Sequence, residues 1–313
     1  MLIQTGGDIS PLKFTKMQGT GNDFVVIETN DNERDWSQLA VSICDRHYGI
    51  GADGLLLFMP SSAADFRMRI FNADGSEANT CGNGIRCLVK YFLDIKTTMK
   101  ADNMVSVETL TGVREARADL VGNKVTGITI GMGKPVSGQQ NLPIILAQPA
   151  GETVDILPSI QYKLALNGMV LSLDIVSIGN PHAVHFTEKS VGKYPLSKIG
   201  SDIERQFSPL GMNFEVARII SDRLIEVRVW EHGVGETLAC GSGACATMVA
   251  GRLHGYIGSV ATIKLPGGEL KVTWDGKGEV YLSGPAEAVF TGEWPDTENA
   301  KGRDIDIKNE VPA

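Results

Sequence analysis

Two short stretches hold the residues best able to do chemistry. In "NTCGNGIRC", Asn79 to Cys87, a cysteine stands directly before Gly-Asn-Gly; in "LACGSGACA", Leu238 to Ala246, another stands before Gly-Ser-Gly. Apolar residues at helical spacing follow the first (Ile85, Leu88, Val89, Phe92, Leu93) and small residues the second (Ala244, Cys245, Ala246, Ala250). Each corner is therefore expected to lead a strand into the N-terminus of a helix. Unsatisfied N–H groups and a partial positive charge gather at such an end. They favour the thiolate of Cys81 or Cys240, lowering its pKa from about 8.5, and they can hold a carboxylate. Glycine lets the backbone turn sharply and come close to a ligand. One such corner makes a single base. Two facing corners could grip one carboxylate from both sides and set a sulfur on each face of the adjacent carbon. Taking a proton from one face and returning one to the other inverts a stereocentre.

The remaining candidates read more plainly. Cys44 sits on an apolar helical stripe with Trp36, Leu39, Ala40 and Ile43, while Cys87 and Cys245 fall among apolar neighbours, so all three read as core. A non-catalytic metal or redox module would need Cys81, Cys87, Cys240 and Cys245, but their spacings of five and four intervening residues miss the short pattern of structural zinc. An odd total of five cysteines argues against a disulfide framework. His47 is expected to cap helix-end carbonyls. His185 and His254 stand in no constellation, and Arg67 and Arg69 are expected on a solvated strand face. "GTGND" lacks the completion and the βαβ setting of a nucleotide loop.

The elements that must position the two cysteines repeat. Cys240 follows Cys81 by 159 residues, and Glu231 follows Asn72 by the same interval. Gly179-Asn180 follows Gly21-Asn22 by 158. Such an offset is far longer than a solenoid repeat and implies two similar domains. Short runs at Phe24–Glu28, Gly54–Met59 and Phe66–Asn72, the alternating "RLIEVRVWE", and a hairpin around Asp275–Gly278 read as strands. Of 313 residues, 42% are hydrophobic and 21% charged, the balance of a globular chain with a substantial core. A net charge of -8 leaves no basic field for nucleic acid. No run is long and apolar enough for a bilayer, and the N-terminus lacks a signal peptide's pattern, so a cytoplasmic protein is expected.

"KMQGTGNDFVVIE", "DRHYGIGADG", "FNADGSEANTCGNGIRC", "GNPHAV" and "EHGVGETLACGSGACA" together resemble the diaminopimelate epimerase family, over nearly the whole chain. The resemblance implies an α/β (α+β) fold of two pseudo-symmetric domains, each a curved, mostly antiparallel sheet wrapped around a central helix, with the site in the cleft. The expected division is 1–128, completed by a C-terminal strand near 283–295, then 129–282, with a mobile tail over 296–313. It further implies epimerisation of LL- to meso-diaminopimelate for lysine and peptidoglycan synthesis, with no metal or cofactor, in a homodimer. By position, Cys81 and Cys240 are the acid/base pair, Cys240 taking the proton from the LL substrate. The N–H groups of Gly82, Asn83, Gly241 and Ser242 would hold the carboxylate. Asn22, Asn72, Asn180 and Asn213 match substrate-binding asparagines. Glu231 would hold the distal ammonium, and with His182 would tune the thiols.

Two positions depart from the family's pattern. Members usually carry Arg after the glutamate, where this chain has His232; Arg offers a carboxylate a fixed fork, His a weaker and pH-dependent contact. Gly54 stands where some relatives have a binding Gln. His232 motivates the nearest rival, a cofactor-independent racemase of another amino acid. An isomerase working through a carboxylate base would not need both cysteines.

Overall fold

The computed structural model describes residues 11–79, 81–95, 103–122, 124–137, 151–156, 159–166, 168–209 and 211–295. The polar tail expected over 296–313 lies outside them. The first half opens with strands β1 (Leu12–Gly19) and β2 (Asn22–Glu28), then helix α1 (Trp36–Cys44). Strands β3 (Gly54–Met59), β4 (Phe66–Asn72) and the short β5 (Glu77–Ala78) lead into α2 (Gly82–Ile95). Strands β6 (Met104–Thr109), β7 (Gly112–Val121) and β8 (Lys124–Gly131) complete it.

The second half adds β9 (Val136–Ser137), β10 (Gly151–Ile156) and β11 (Ser159–Leu166) before repeating the plan. It runs β12 (Met169–Ser177), β13 (Pro181–Phe186), α3 (Leu196–Gln206), β14 (Asn213–Ser221) and β15 (Leu224–Glu231). Then come β16 (Gly235–Thr237), α4 (Gly241–Leu253), β17 (Val260–Leu265), β18 (Gly268–Thr273) and β19 (Tyr281–Gly284). Strand β20 (Glu287–Trp294) returns to pair with β1.

Pairing repeats as faithfully as order. β1 and β2 are antiparallel, β2 and β3 parallel, β3 and β4 antiparallel, β4 and β6 parallel, and β6, β7 and β8 antiparallel in turn. The same sequence of relations links β12, β13, β14, β15, β17, β18 and β19. The last strands of the two halves, β8 and β19, pair antiparallel and join them. Phe24 lies opposite Gly54, and His182 opposite Asn213, so the offset of 158–159 residues is a register equivalence. Left-handed Gly21 (φ +81°) and Gly179 (φ +91°) turn the chain just before Asn22 and Asn180, a conformation side chains resist.

Each sheet half is covered on both faces. In β3, Leu56 and Phe58 face the large core shared with α2, while Leu55, Leu57 and Met59 face α1. In β14, Ala217 faces α4, while Phe214 and Val216 face α3. Burying side chains of this size stabilises by about 1.5–3 kcal/mol each. The all-apolar "GLLLFM" is what a strand buried on both faces requires. Helices α2 and α4 meet in one core, where Cys87 and Cys245 are wholly buried. Burial pushes the thiol of Cys87 up to about 12, and those of Cys44 and Cys245 up as well.

Several local expectations change. Helix α1 is started by Asp35, whose carboxylate accepts from the N–H of Gln38 (2.9 Å). Its last carbonyls are filled by the N–H groups of Ile50, Gly51 and Ala52. His47 does not cap them; its own N–H donates to Asp45. Arg69 is half-buried, forked onto Glu77 (2.7 and 3.0 Å) and laid over Phe71, and Arg67 is paired with Glu108. His254 is no bystander: its Nε2 meets both oxygens of buried Asp174 at 2.8 and 2.9 Å. The hairpin around Asp275 forms, with Thr273 opposite Tyr281 and a longer loop between them. Among the described residues no helix is long and apolar enough to cross a membrane.

Candidate active site

Both cysteines stand at helix N-termini, as the corners require. Cys81 immediately precedes α2, and the N–H of Gly84 donates to its Sγ at 3.5 Å. Cys240 is the N-cap of α4, with extended backbone, and the N–H of Gly243 donates to its Sγ at 3.4 Å. The first residues of each helix, Gly82 and Asn83 or Gly241 and Ser242, present N–H groups ahead of the helical ladder. Neither Gly82 nor Gly241 is left-handed. What they supply is room: a Cβ on Gly82 would lie 3.4 Å from Cδ2 of Leu282, and one on Gly241 only 3.0 Å from the same atom. The two corners close on a single leucine of β19.

They are also joined by hydrogen bonds. Asn83 Nδ2 donates to Asn22 Oδ1 (3.0 Å) and to the carbonyl of Ala239 (3.4 Å), the residue before Cys240. Asn22 Oδ1 also faces the Cys81 thiol at 3.9 Å. Asp53 fixes the other end of Asn22 by accepting from its Nδ2 at 2.7 Å. Asp53 is held in turn by Arg46, which forks onto Asp23 as well.

Near Cys240 the surroundings are ionisable. Ser242 Oγ lies 3.4 Å from its sulfur. Glu231 is fixed by a hydrogen bond from Thr237 and lies near enough to raise both thiols. His182 is fully buried; its Nδ1 donates to Glu215 Oε1 at 2.7 Å, and its Nε2 stands 3.1 Å from Asn180 Oδ1. Asn213, also buried, donates to the carbonyl of Pro181 (3.0 Å) and accepts from the N–H of His232 (3.0 Å). Asn72 lies apart from this chain of contacts, donating to Ser76 Oγ at 2.9 Å. The exposed ring of His232 packs over Gly211 and meets Glu204 at 3.0 Å.

The thiols differ from the sequence expectation in one respect. Burial outweighs the helix-end N–H groups, and both are pushed up: Cys81 above the usual thiol value and Cys240 well above it. The carboxylates of Glu231 and Glu215 add to the rise at Cys240, while Gly243 and Ser242 oppose it. Burial likewise raises Glu231, against the donors Thr237 and Cys240.

Two residues here were missed from the sequence. Arg86 has no exposed surface; its Nη2 donates to Thr20 Oγ1 (3.1 Å) and Asn83 Oδ1 (2.8 Å), and its Nε to the carbonyl of Pro285 (3.2 Å). It fixes the amide of Asn83 so that the donor end points at Asn22 and Ala239. Its signal was a cation on an apolar helix face, beside Ile85 and Leu88. Glu215 is as deeply buried, and its signal was a lone acid within the apolar run "NFEVARII".

Solved structures share this architecture. A probable proline racemase from Agrobacterium radiobacter superposes with a TM-score of 0.66 at 14% identity, over 90% of this chain and 92% of that one. The fold of two pseudo-symmetric domains is thus shared with that structure. The profile of the diaminopimelate epimerase family matches residues 14–137 and 175–289. A diaminopimelate epimerase from Methanococcus maripaludis is 41% identical over 286 residues, 90% of this chain and 99% of that protein. One from Desulfovibrio desulfuricans is 43% identical over 286 residues, 90% and 98% of the two. The chain belongs to the diaminopimelate epimerase family.

Proposed function

We propose that this chain interconverts LL- and meso-2,6-diaminopimelate by a two-base reaction at Cys81 and Cys240. The observation that carries the reading is the stitching of two cysteine-headed helix N-termini by Asn83, with both corners closing on Leu282. The first-turn N–H groups of Gly82, Asn83, Gly241 and Ser242 hold the carboxylate beside the reacting carbon, and their partial charge stabilises the carbanionic transition state. In the LL direction Cys240, as thiolate, takes the α-proton while Cys81, as thiol, gives one to the opposite face. The reverse reaction exchanges the roles. Asn22, Asn72, Asn180 and Asn213 orient the substrate, Glu231 meets the distal ammonium, and His182 and Glu231 set the two thiols apart. The cleft lies between residues 1–128, completed by the strand near 283–295, and residues 129–282.

The distal carboxylate falls to His232, whose ring is drawn to Glu204. That tie favours the second reading, a racemase of another amino acid by the same chemistry. Incubation with LL-diaminopimelate in deuterated water decides between them. Deuterium at the α-carbon of meso product is the expected result; none there, with exchange into another amino acid, contradicts the first reading. A homodimer is also part of the proposal. Among the described residues β20 pairs only with β1, and Val289 and Phe290 are exposed on it. Sedimentation of the intact chain as a monomer would contradict that part.

A further inference from the structure

The two halves match in strand pairing and differ in charge beneath the two cysteine-headed helices. By register, His182 and Glu215 of the second half occupy the positions of Phe24 and Leu56 in the first. Leu56 lies under the head of α2, where a Cβ on Gly84 would come 3.1 Å from its Cδ2. Glu215 lies under the head of α4, where a Cβ on Gly243 would come 2.6 Å from its Oε1. Gly84 and Gly243 are the residues whose N–H groups donate to the two sulfurs. Each cysteine is therefore backed by an equivalent strand residue through an equivalent glycine. One backing is apolar; the other is a buried carboxylate.

That carboxylate is incompletely satisfied. Its Oε1 takes the His182 hydrogen bond, and its Oε2 is buried without a hydrogen-bond partner. A buried acceptor left unpaired is destabilising, more so when charged, and an apolar pair, Phe24 and Leu56, holds the equivalent positions in the other half. Packing alone does not account for it. The groups that face it are His182 from β13, Glu231 from β15 and Cys240 at the head of α4. On the first half's side, the ionisable neighbour of Cys81 besides Glu231 is the guanidinium of Arg86.

We infer that Glu215 is a positioning residue for this reaction: its carboxylate locks the His182 ring toward Asn180 and lays a fixed negative charge beneath the head of α4, so that in the resting enzyme the proton stays on Cys240 and the thiolate forms at Cys81. The inference rests on the two-thiol reading. Two thiols in one closed site must hold opposite protonation states, and a symmetric pair would give neither a preference. The resting form is then the one that meets the meso substrate, and the LL direction requires the proton to be moved back to Cys81.

The test is alkylation of the intact chain by iodoacetamide across pH, with each cysteine followed by peptide mass spectrometry. In the wild type, half-maximal reactivity of Cys81 is expected at a lower pH than that of Cys240, by about one unit or more. In Glu215→Gln the gap narrows because the Cys240 midpoint falls. The double variant His182→Phe with Glu215→Leu copies the first half and leaves no lone buried charge, which keeps the test open if the single variant does not fold; the same narrowing is expected. A wild type in which Cys240 reacts at the lower pH, or a gap unmoved in the folded variants, overturns the inference. Failure of the two-thiol reading shows differently, as retained turnover in Cys81→Ser or Cys240→Ser. An unmoved gap with both serine variants inactive removes only the role of Glu215.

Discussion

The side-chain amide of Asn83, on α2, donates to the backbone carbonyl of Ala239, one residue before Cys240. A single side chain thus sets the position of one cysteine corner relative to the other. Asn83→Ala is expected to lower turnover by about 10–100-fold, because the sulfurs lose their fixed relation to one carbon. It also strips Arg86 of an acceptor, costing about 1–3 kcal/mol of stability. Steady-state kinetics beside a thermal melt check both, and unchanged turnover in a folded variant would count against the bridge.

With both thiols pushed up by burial, the proposed two-thiol reaction is expected on the alkaline side. Below the first thiol's midpoint both sulfurs are protonated and no base exists; above the second's both are thiolates and no acid remains. The rate is expected to rise with pH, peak above the ordinary thiol range of about 8.5, and fall again. A kcat/KM profile in each direction measures this. A maximum near pH 6 would contradict it.

Stability toward acid is expected to hinge on the network behind Asn22. Burial alone would raise Asp23, yet hydrogen bonds from Arg46 and Lys16 outweigh it and hold the carboxyl at about 2. A carboxyl depressed in the folded state stabilises fully above its unfolded value, near 4, and that contribution is lost as pH falls toward 2. Asp23→Asn should lower Tm by a few degrees at pH 7, about 3 °C, with the difference shrinking as pH falls through about 2. A difference that persists into acid would point away from the charge.

Sulfurs proposed to share a substrate carbon are expected to share a bond when the cleft is empty. A mild oxidant is expected to join Cys81 to Cys240 and stop turnover, with recovery on reduction, because Cys81 is partly exposed and Cys240 heads the helix stitched to its own by Asn83. Peptide mapping checks the linkage. Full activity with that bridge confirmed would contradict the mechanism.

The residues proposed to do chemistry stand at a fixed spacing that was legible in the sequence. Cysteine before Gly-x-Gly, asparagine after glycine, and the 158–159-residue offset survive as register, since turns and pairing preserve spacing. Helices α1 and α2 were legible because their apolar residues recur at helical intervals. Helix α3 was not, although Leu196, Ile199 and Ile203 line one face. Its Gly200 weakens the helical signal, and the reason for that glycine is remote in sequence: Trp230 packs where a Cβ would lie. Glu215 and Arg86 were hidden because a single charge in an apolar run gives no hint of its partner. The rise of the two thiols was hidden for a related reason: the helix end is written locally, whereas burial comes from both halves.

The central claim is that two sulfurs act on one carbon, one as base and one as acid. Turnover of LL-diaminopimelate by Cys81→Ser and by Cys240→Ser tests it most directly, with circular dichroism to establish that each folds. Each variant is expected to lose at least about 10³-fold in kcat, since a serine hydroxyl is a far weaker base and acid at this task. Near-normal turnover in either folded variant would contradict the account.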